Sequence, residues 1–173
     1  VLQGRLSWLS QSMHRSGHTQ PLPFVRSQEA IPQTLLASTA YVFFQEEFKA
    51  HTRLISGRWP REAPDDSDVD QLSIEVVIGA QIASYMNWAE DTRVFLVPFN
   101  TVPEEKIAVT IVGIVEPVNP EELYWFGDRT KFLVDDANYP ILVPLYASEQ
   151  SFFNGIGSRY PMLLGIYWWH VFL

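Results

Sequence analysis

A chain of 173 residues is long enough to build one domain with a real apolar interior. Its 47% apolar and 18% charged residues exclude a disordered profile. Twenty acidic against twelve basic residues, net charge −8, set it against nucleic acid and anionic lipid headgroups, and the absence of cysteine fits an oxidising space and the cytosol equally.

Residues 1–23 carry Gln, Ser, His and Gly between scattered apolar positions, which predicts a loosely ordered entry or one edge strand. Residues 34–44 follow the Ile31-Pro32 break and read as a strand, and residues 45–51 as a helical turn. Residues 51–57 form a short extended run ended by Gly57. Residues 62–70 are an acidic loop, where Pro60 and Pro64 disfavour regular structure.

Ile74-Glu75-Val76-Val77-Ile78 is a β-branched run closed by Gly79, a strand meeting a turn. Residues 80–86 then place Ile82, Ala83 and Met86 on one helical face. Two extended runs follow, at 93–97 and 107–115. Asn119 and Pro120 start a helix expected over 120–126 and ended by Gly127. Short extended runs are expected at 131–134 and 140–145, a helix capped by Ser148 reaches residue 154, and residues 163–173 are the last strand. Strands and short helices without regular alternation predict an α+β fold.

Motifs for chemistry are absent from the sequence as patterns. Asp66, Asp68 and Asp70 match positions 1, 3 and 5 of a calcium loop, but Gln71 stands where the turn needs glycine and Val77 where a bidentate glutamate belongs, so calcium is a weak alternative to a solvated loop. His14 and His18 are spaced i, i+4 without the glutamate of a zinc helix. Gly155-Ile156-Gly157-Ser158 is no nucleophile elbow, and no phosphate-binding or dinucleotide glycine pattern occurs. No catalytic, cofactor or metal residue is therefore assigned.

Adjacent aromatics offer a different hint. Neighbours such as Trp168 and Trp169 point to opposite faces of a strand, so one of each pair is expected to reach solvent and meet a partner or an apolar substrate. The candidate contact residues are Trp125, Phe126, Phe152, Phe153 and Trp168, of which at least two are expected to be exposed.

The order Gly57-Arg58-Trp59-Pro60, acidic loop, Glu75-Val76-Val77-Ile78-Gly79, helix start at Ala80, Asp91-Thr92-Arg93-Val94 and Val109-Thr110-Ile111-Val112-Gly113-Ile114-Val115 resembles the extracytoplasmic core domain of MacB/FtsX-type ABC transporter permeases. The likeness covers residues 52–117, and Ile141-Leu142-Val143-Pro144-Leu145 is similar to the family's later strand. Glu90 departs from it, standing where the family's turn has glycine before Asp91.

The resemblance implies a mixed α/β lobe with an inserted β-rich lobe: here an insertion over 51–117 and an outer lobe from 24–50 and 118–173, within a single domain of a longer membrane protein. It further implies a position on the extracytoplasmic face of the membrane, periplasmic or extracellular, anchored by spanning helices outside this sequence. The longest apolar run, 161–173, is itself too short to span. Also implied are a dimeric permease, no enzymatic activity in this domain, a cytoplasmic ATPase subunit as the motor, and an envelope protein, lipoprotein or apolar substrate as partner. The rival reading is a secreted hydrolase or carbohydrate-binding protein.

Overall fold

The computed structural model describes residues 12–30, 39–62, 71–98, 106–125, 132 and 142–172. Among these, nine strands join one sheet: β1 (Ser12–Thr19), β2 (Leu22–Val25), β3 (Thr39–Gln45), β4 (Thr52–Gly57), β5 (Ser73–Gly79), β6 (Arg93–Leu96), β7 (Ile107–Pro117), β8 (Leu142–Tyr146) and β9 (Leu164–Phe172). Helices are few: α1 (Phe48–His51), α2 (Ala80–Met86), a π-helix over Ser151–Gly157 and 3-10 turns at Leu123–Trp125 and Pro161–Leu163. Strand and helix are both present, with strand dominant. None of the described helices is long and apolar enough to cross a membrane.

The apolar runs read as strands because they are buried on both faces. Along β3, Ala40, Val42 and Phe44 enter one apolar cluster while Tyr41 and Phe43 enter a second, the period-2 alternation of a strand with no wet side. Ile74, Val76 and Ile78 of β5 and Ile107, Val109 and Ile111 of β7 join the first cluster. The parallel pairing of β5 with β7 shifts register between Val76 and Val77, so that Val76 faces Ile111 but Val77 faces Gly113. Val112 is the extra residue, a bulge. Beyond it the parity of β7 reverses, and Val115 serves the second cluster.

Pairings close the sheet on itself. β2 pairs with β3 through Leu22 and Pro23 and with β6 through Phe24 and Val25. The ring continues from β6 to β7, β5, β8 and back to β3. Its interior is filled by the first cluster, which also takes Ile82 and Ala83 of α2, Trp88, and Phe152 and Ile156 of the π-helix. Outside the ring, β1 and β9 extend from β3, and β4 lies on the edge of β7.

Several expectations change here. The segment before residue 23 is not one edge strand: β1 is paired on both sides, and it and β2 run along the same side of β3 with a one-residue offset where Gln20 and Pro21 intervene. The helix expected over 120–126 is only a turn, although Asn119 Oδ1 does accept the Glu121 N–H at 3.1 Å. The segment 51–117 supplies β4 to β7 to the same ring and interior as β3 and β8. Among the described residues, neither a separate sheet nor a separate interior marks an inserted lobe, because strands from both segments are hydrogen-bonded neighbours. Of the extended run expected at 131–134, only Phe132 lies within the described residues.

Four pieces of the resemblance meet on one wall of this ring, while most of the acidic loop lies outside the described residues. Gly57 has φ +77 and faces Gly113 across the β4–β7 pairing, a conformation and a closeness that a side chain would forbid. The Arg58 N–H donates to the Val112 carbonyl at 2.8 Å. Arg58 Nη1 and Nη2 donate to the two Glu75 oxygens, each at 2.5 Å, and the Arg61 N–H adds a bond of 2.8 Å. The Arg58 guanidinium holds the Glu75 carboxyl below the usual carboxylate range. The Asp91 N–H donates to Ile111 O at 2.8 Å, which brings the fourth piece to the same strand.

A Cβ at Gly113 would lie 2.5 Å from the Arg58 carbonyl oxygen, backbone against backbone. Gly113→Ala is expected to destabilise the fold by about 2 kcal/mol, read from urea unfolding. An unchanged midpoint would show that the crossing is not tight.

Candidate functional site

The outer face of the ring is covered by aromatic rings. Tyr41 and Phe43 of β3 and Tyr146 of β8 face outward, and Phe48, Trp125 and Phe132 pack over them. Phe48 stacks on Tyr146 at 4.3 Å, and Phe132 stacks on Tyr146 at 5.6 Å. Such a layer is the consequence of strands that are apolar on both sides, since the outward side chains also need cover.

The layer is anchored by a turn of unusual geometry. Between β3 and α1, Glu47 adopts φ 60, a left-handed conformation that a non-glycine residue reaches at some cost. Arg15 offsets that cost from β1. Its N–H and Nε donate to Glu46 Oε2 at 3.0 and 3.2 Å, and its Nη2 to Glu46 Oε1 at 3.1 Å. Nη1 lies 2.8 Å from Glu149 at the start of the helical segment 149–159. These bonds from Arg15, chiefly those of its side chain, pull the Glu46 carboxyl below the usual carboxylate range against a smaller upward push from burial. Tyr124 donates its hydroxyl to Glu46 O at 2.7 Å.

Two histidines far apart in sequence meet beside this turn. His51 Nδ1 lies 3.0 Å from Glu122 Oε2, and its ring stacks on Tyr124 at 3.6 Å. His14 Nδ1 lies 3.3 Å from Glu47, with its ring edge-on to Tyr124 and 6.1 Å from that of His51. Burial, and then the charges of Glu47, Glu122 and Glu46, push the Tyr124 phenol far up, so it acts as a neutral hydrogen-bond donor. Among the described residues no group of three His, Asp or Glu side chains is placed to hold a metal ion. Ser148 and Ser151 are bonded to each other at the start of the helical segment, Oγ to Oγ at 2.9 Å.

Between the turn and the end of β4 lies a cleft of about 290 Å³. It is lined by Phe44, Phe48, Trp59, Pro60, Val77 and Tyr146, together with Glu46, Glu47, Lys49 and Glu149. Trp59 and Phe48 meet edge to face at 6.4 Å. Lys49 Nζ sits 5.6 Å from the centre of the Trp59 ring, a cation–π contact.

The expected contact residues fare unevenly. Trp125 is 2% exposed, with Nε1 donating to Asn119 O at 2.9 Å, and belongs to the aromatic layer. Phe152 is 2% exposed and fills the ring interior against Phe44. Both are corrected from surface to core, because on a turn or helix neighbouring side chains need not face opposite ways, and here both layers of the fold have room for aromatics. Phe153 is half-buried, packed on Phe44 at 5.1 Å. Trp168 is 43% exposed beside His18. Phe126, and the calcium alternative Asp66, Asp68 and Asp70, lie outside the described residues. Sequence reasoning missed Phe48, Trp59, Glu46, Glu47 and Glu149 as a group; Trp59-Pro60 just after a strand was the visible signal.

Two outcomes check these placements. Phe152→Ala is expected to cost about 3–5 kcal/mol and Trp168→Ala no more than about 1 kcal/mol, measured by thermal and urea unfolding; equal effects would contradict the burial. Glu46→Gln tests the turn. Since the folded carboxyl titrates below the unfolded one, its stabilisation is complete above the usual carboxylate range and disappears as pH falls through the depressed folded value. The Tm difference between the variant and the parent is therefore expected to be larger at pH 7 than at pH 3, and a pH-independent difference would contradict the pairing.

No protein-family model and no curated protein sequence matches the chain. Among solved structures, it is similar to the crystal structure of "a domain of a putative permease protein" from Porphyromonas gingivalis, at 13% identity and a TM-score of 0.40. The alignment covers 98% of this chain and 65% of that one, so the chain spans less than two-thirds of its length.

Proposed function

We propose that this chain is a non-catalytic extracytoplasmic domain of an ABC transporter permease of the MacB/FtsX type, binding an envelope partner or substrate and passing on motion driven by a cytoplasmic ATPase. The observation that supports it is the convergence of the resembling pieces. Gly57-Arg58, Glu75, Asp91 and Gly113 are spread over more than fifty residues, yet they form one continuous wall through the Gly57–Gly113 crossing and the Arg58–Glu75 pair. Residues that resemble a family's motif and also hold the same wall together form a coherent set, whereas a chance likeness would scatter them.

A closed, fully packed ring suits such a role, because force applied at one edge is carried through hydrogen-bonded strands with little deformation. Partner contact then falls to the outer surface, where the cleft beside Trp59 is one concave feature among the described residues. The motor, the spanning helices and the dimeric permease belong to the rest of this reading.

The test is the parent protein in its native cells, tagged within this domain. It is expected to sediment with membranes, to resist alkaline carbonate, to be cleaved by protease added from outside, and to bring down an ATPase subunit. Recovery as a free protein in the medium or periplasm would overturn the proposal in favour of a secreted binding protein or hydrolase.

A further inference from the structure

We propose that His14 and His51 form a proton-operated clamp on α1: protonated, they tie both of its ends to the rest of the fold, and neutral, they loosen it together with the part of the cleft that it carries. The inference stands independently of the permease reading.

The first observation is placement. Glu47 immediately precedes α1, and His51 is its last residue. His14 Nδ1, on β1, lies 3.3 Å from Glu47 Oε2, and His51 Nδ1 lies 3.0 Å from Glu122 Oε2, next to the Leu123–Trp125 turn. Each end of α1 thus meets an imidazole–carboxylate contact that joins it to another element. Such a contact is an ion pair only while the imidazole carries its proton. The two histidine side chains are 13% and 19% exposed, so protons reach them while much of the surrounding water is excluded.

The second observation is that α1 has little internal hold. A single turn leaves most of its backbone groups without helical partners, and none of its four residues is fully buried. The Ala50 N–H donates to Glu47 O at 2.8 Å, but Glu47 itself sits at φ 60, which costs free energy. At the far end the Val118 N–H donates to His51 O at 3.0 Å. What fastens the ends of α1 therefore matters to its position. That position matters to the cleft, since Phe48 stacks on Tyr146 and meets Trp59, and Lys49 lies over the Trp59 ring.

The third observation is charge. Among the described residues, His14 faces Glu46 and Glu47 of the turn, Tyr124 of the 3-10 turn and His51 of α1. His51 faces Glu122, Tyr124 and the edge of Trp125. Arg15, beside His14 on β1, is shared between Glu46 and Glu149. Four carboxylates thus stand against the Arg15 guanidinium, and with both imidazoles neutral this corner carries excess negative charge. The same field acts on Tyr124, whose phenol is pushed up by burial and then by Glu47, Glu122 and Glu46. Two imidazolium charges offset most of it. Each ring nitrogen is nearer its carboxylate than the rings are to one another, 6.1 Å apart, so attraction outweighs their mutual repulsion.

The test is amide hydrogen exchange of the 15N-labelled chain at pH 5.5 and pH 8, corrected for the intrinsic rate at each pH. Histidines ordinarily change charge in this window, whereas carboxylic acids and phenols ordinarily do not. Protection of the Ala50 and Val118 amides is expected to be about fivefold higher at pH 5.5, and the Trp59 indole resonance is expected to move over the same range. His14→Gln is expected to remove the rise at Ala50, and His51→Gln the rise at Val118. The double variant removes both, and His18→Gln removes neither. Glu47→Gln and Glu122→Gln, which keep both imidazoles, repeat the test pair by pair if the double variant does not fold.

Equal protection at the two pH values overturns the clamp, as does a rise that survives loss of both histidines or of both carboxylates. So does an equal rise at the Trp88 amide, bonded to Ala83 O at the end of α2, because the change would then belong to the whole fold. A Trp59 indole that does not respond to pH overturns the link to the cleft.

Discussion

Closure of the sheet rests on four residues. Leu22 and Pro23 lie opposite β3, and Phe24 and Val25 lie opposite β6, so β2 changes neighbour halfway along its length. Without that change the strands from β3 to β6 would be an open sheet with two exposed edges. With it, a single apolar interior is sealed, and the outward faces of β3, β5, β7 and β8 must find cover elsewhere. The aromatic layer of Phe48, Trp125 and Phe132 is that cover.

The second layer explains where polar chemistry collects. Charged groups are held at the margin of the aromatic layer, where Arg15 ties Glu46 and Glu149 together and two histidines flank Tyr124. Each carboxylate there already has a structural bond, yet Glu47 and Glu149 keep much of their surface in water. A margin that is both rigid and partly open suits recognition. Its pieces come from β1, the turn into α1 and the start of the π-helical segment, so a partner bound there would grip elements spread along the whole chain.

The bulge at Val112 has a comparable reach. By reversing the parity of β7 it presents Gly113 to Gly57 and Val115 to the aromatic layer, while Ile107, Val109 and Ile111 stay in the interior. One extra residue thus serves both layers and the crossing that gathers Arg58 and Glu75.

The sequence by itself determined most of the elements. Residues 80–86 formed the helix that their apolar spacing predicted, Gly57 ended its strand, and the runs at 74–78, 93–97 and 107–115 became strands, because periodicity and β-branching act locally. Local signals could not show that the ring closes, since that depends on pairing between residues 22–25 and 93–96. They also misplaced Trp125 and Phe152, for exposure depends on what covers a residue and a strand's period says only which way it points. The cleft was the least legible of all. Phe48, Trp59 and Glu149 are distant in sequence, and only the packing of Phe48 on Tyr146 of β8, with Trp59 against Phe48, brings an indole face, a lysine and three carboxylates to one opening.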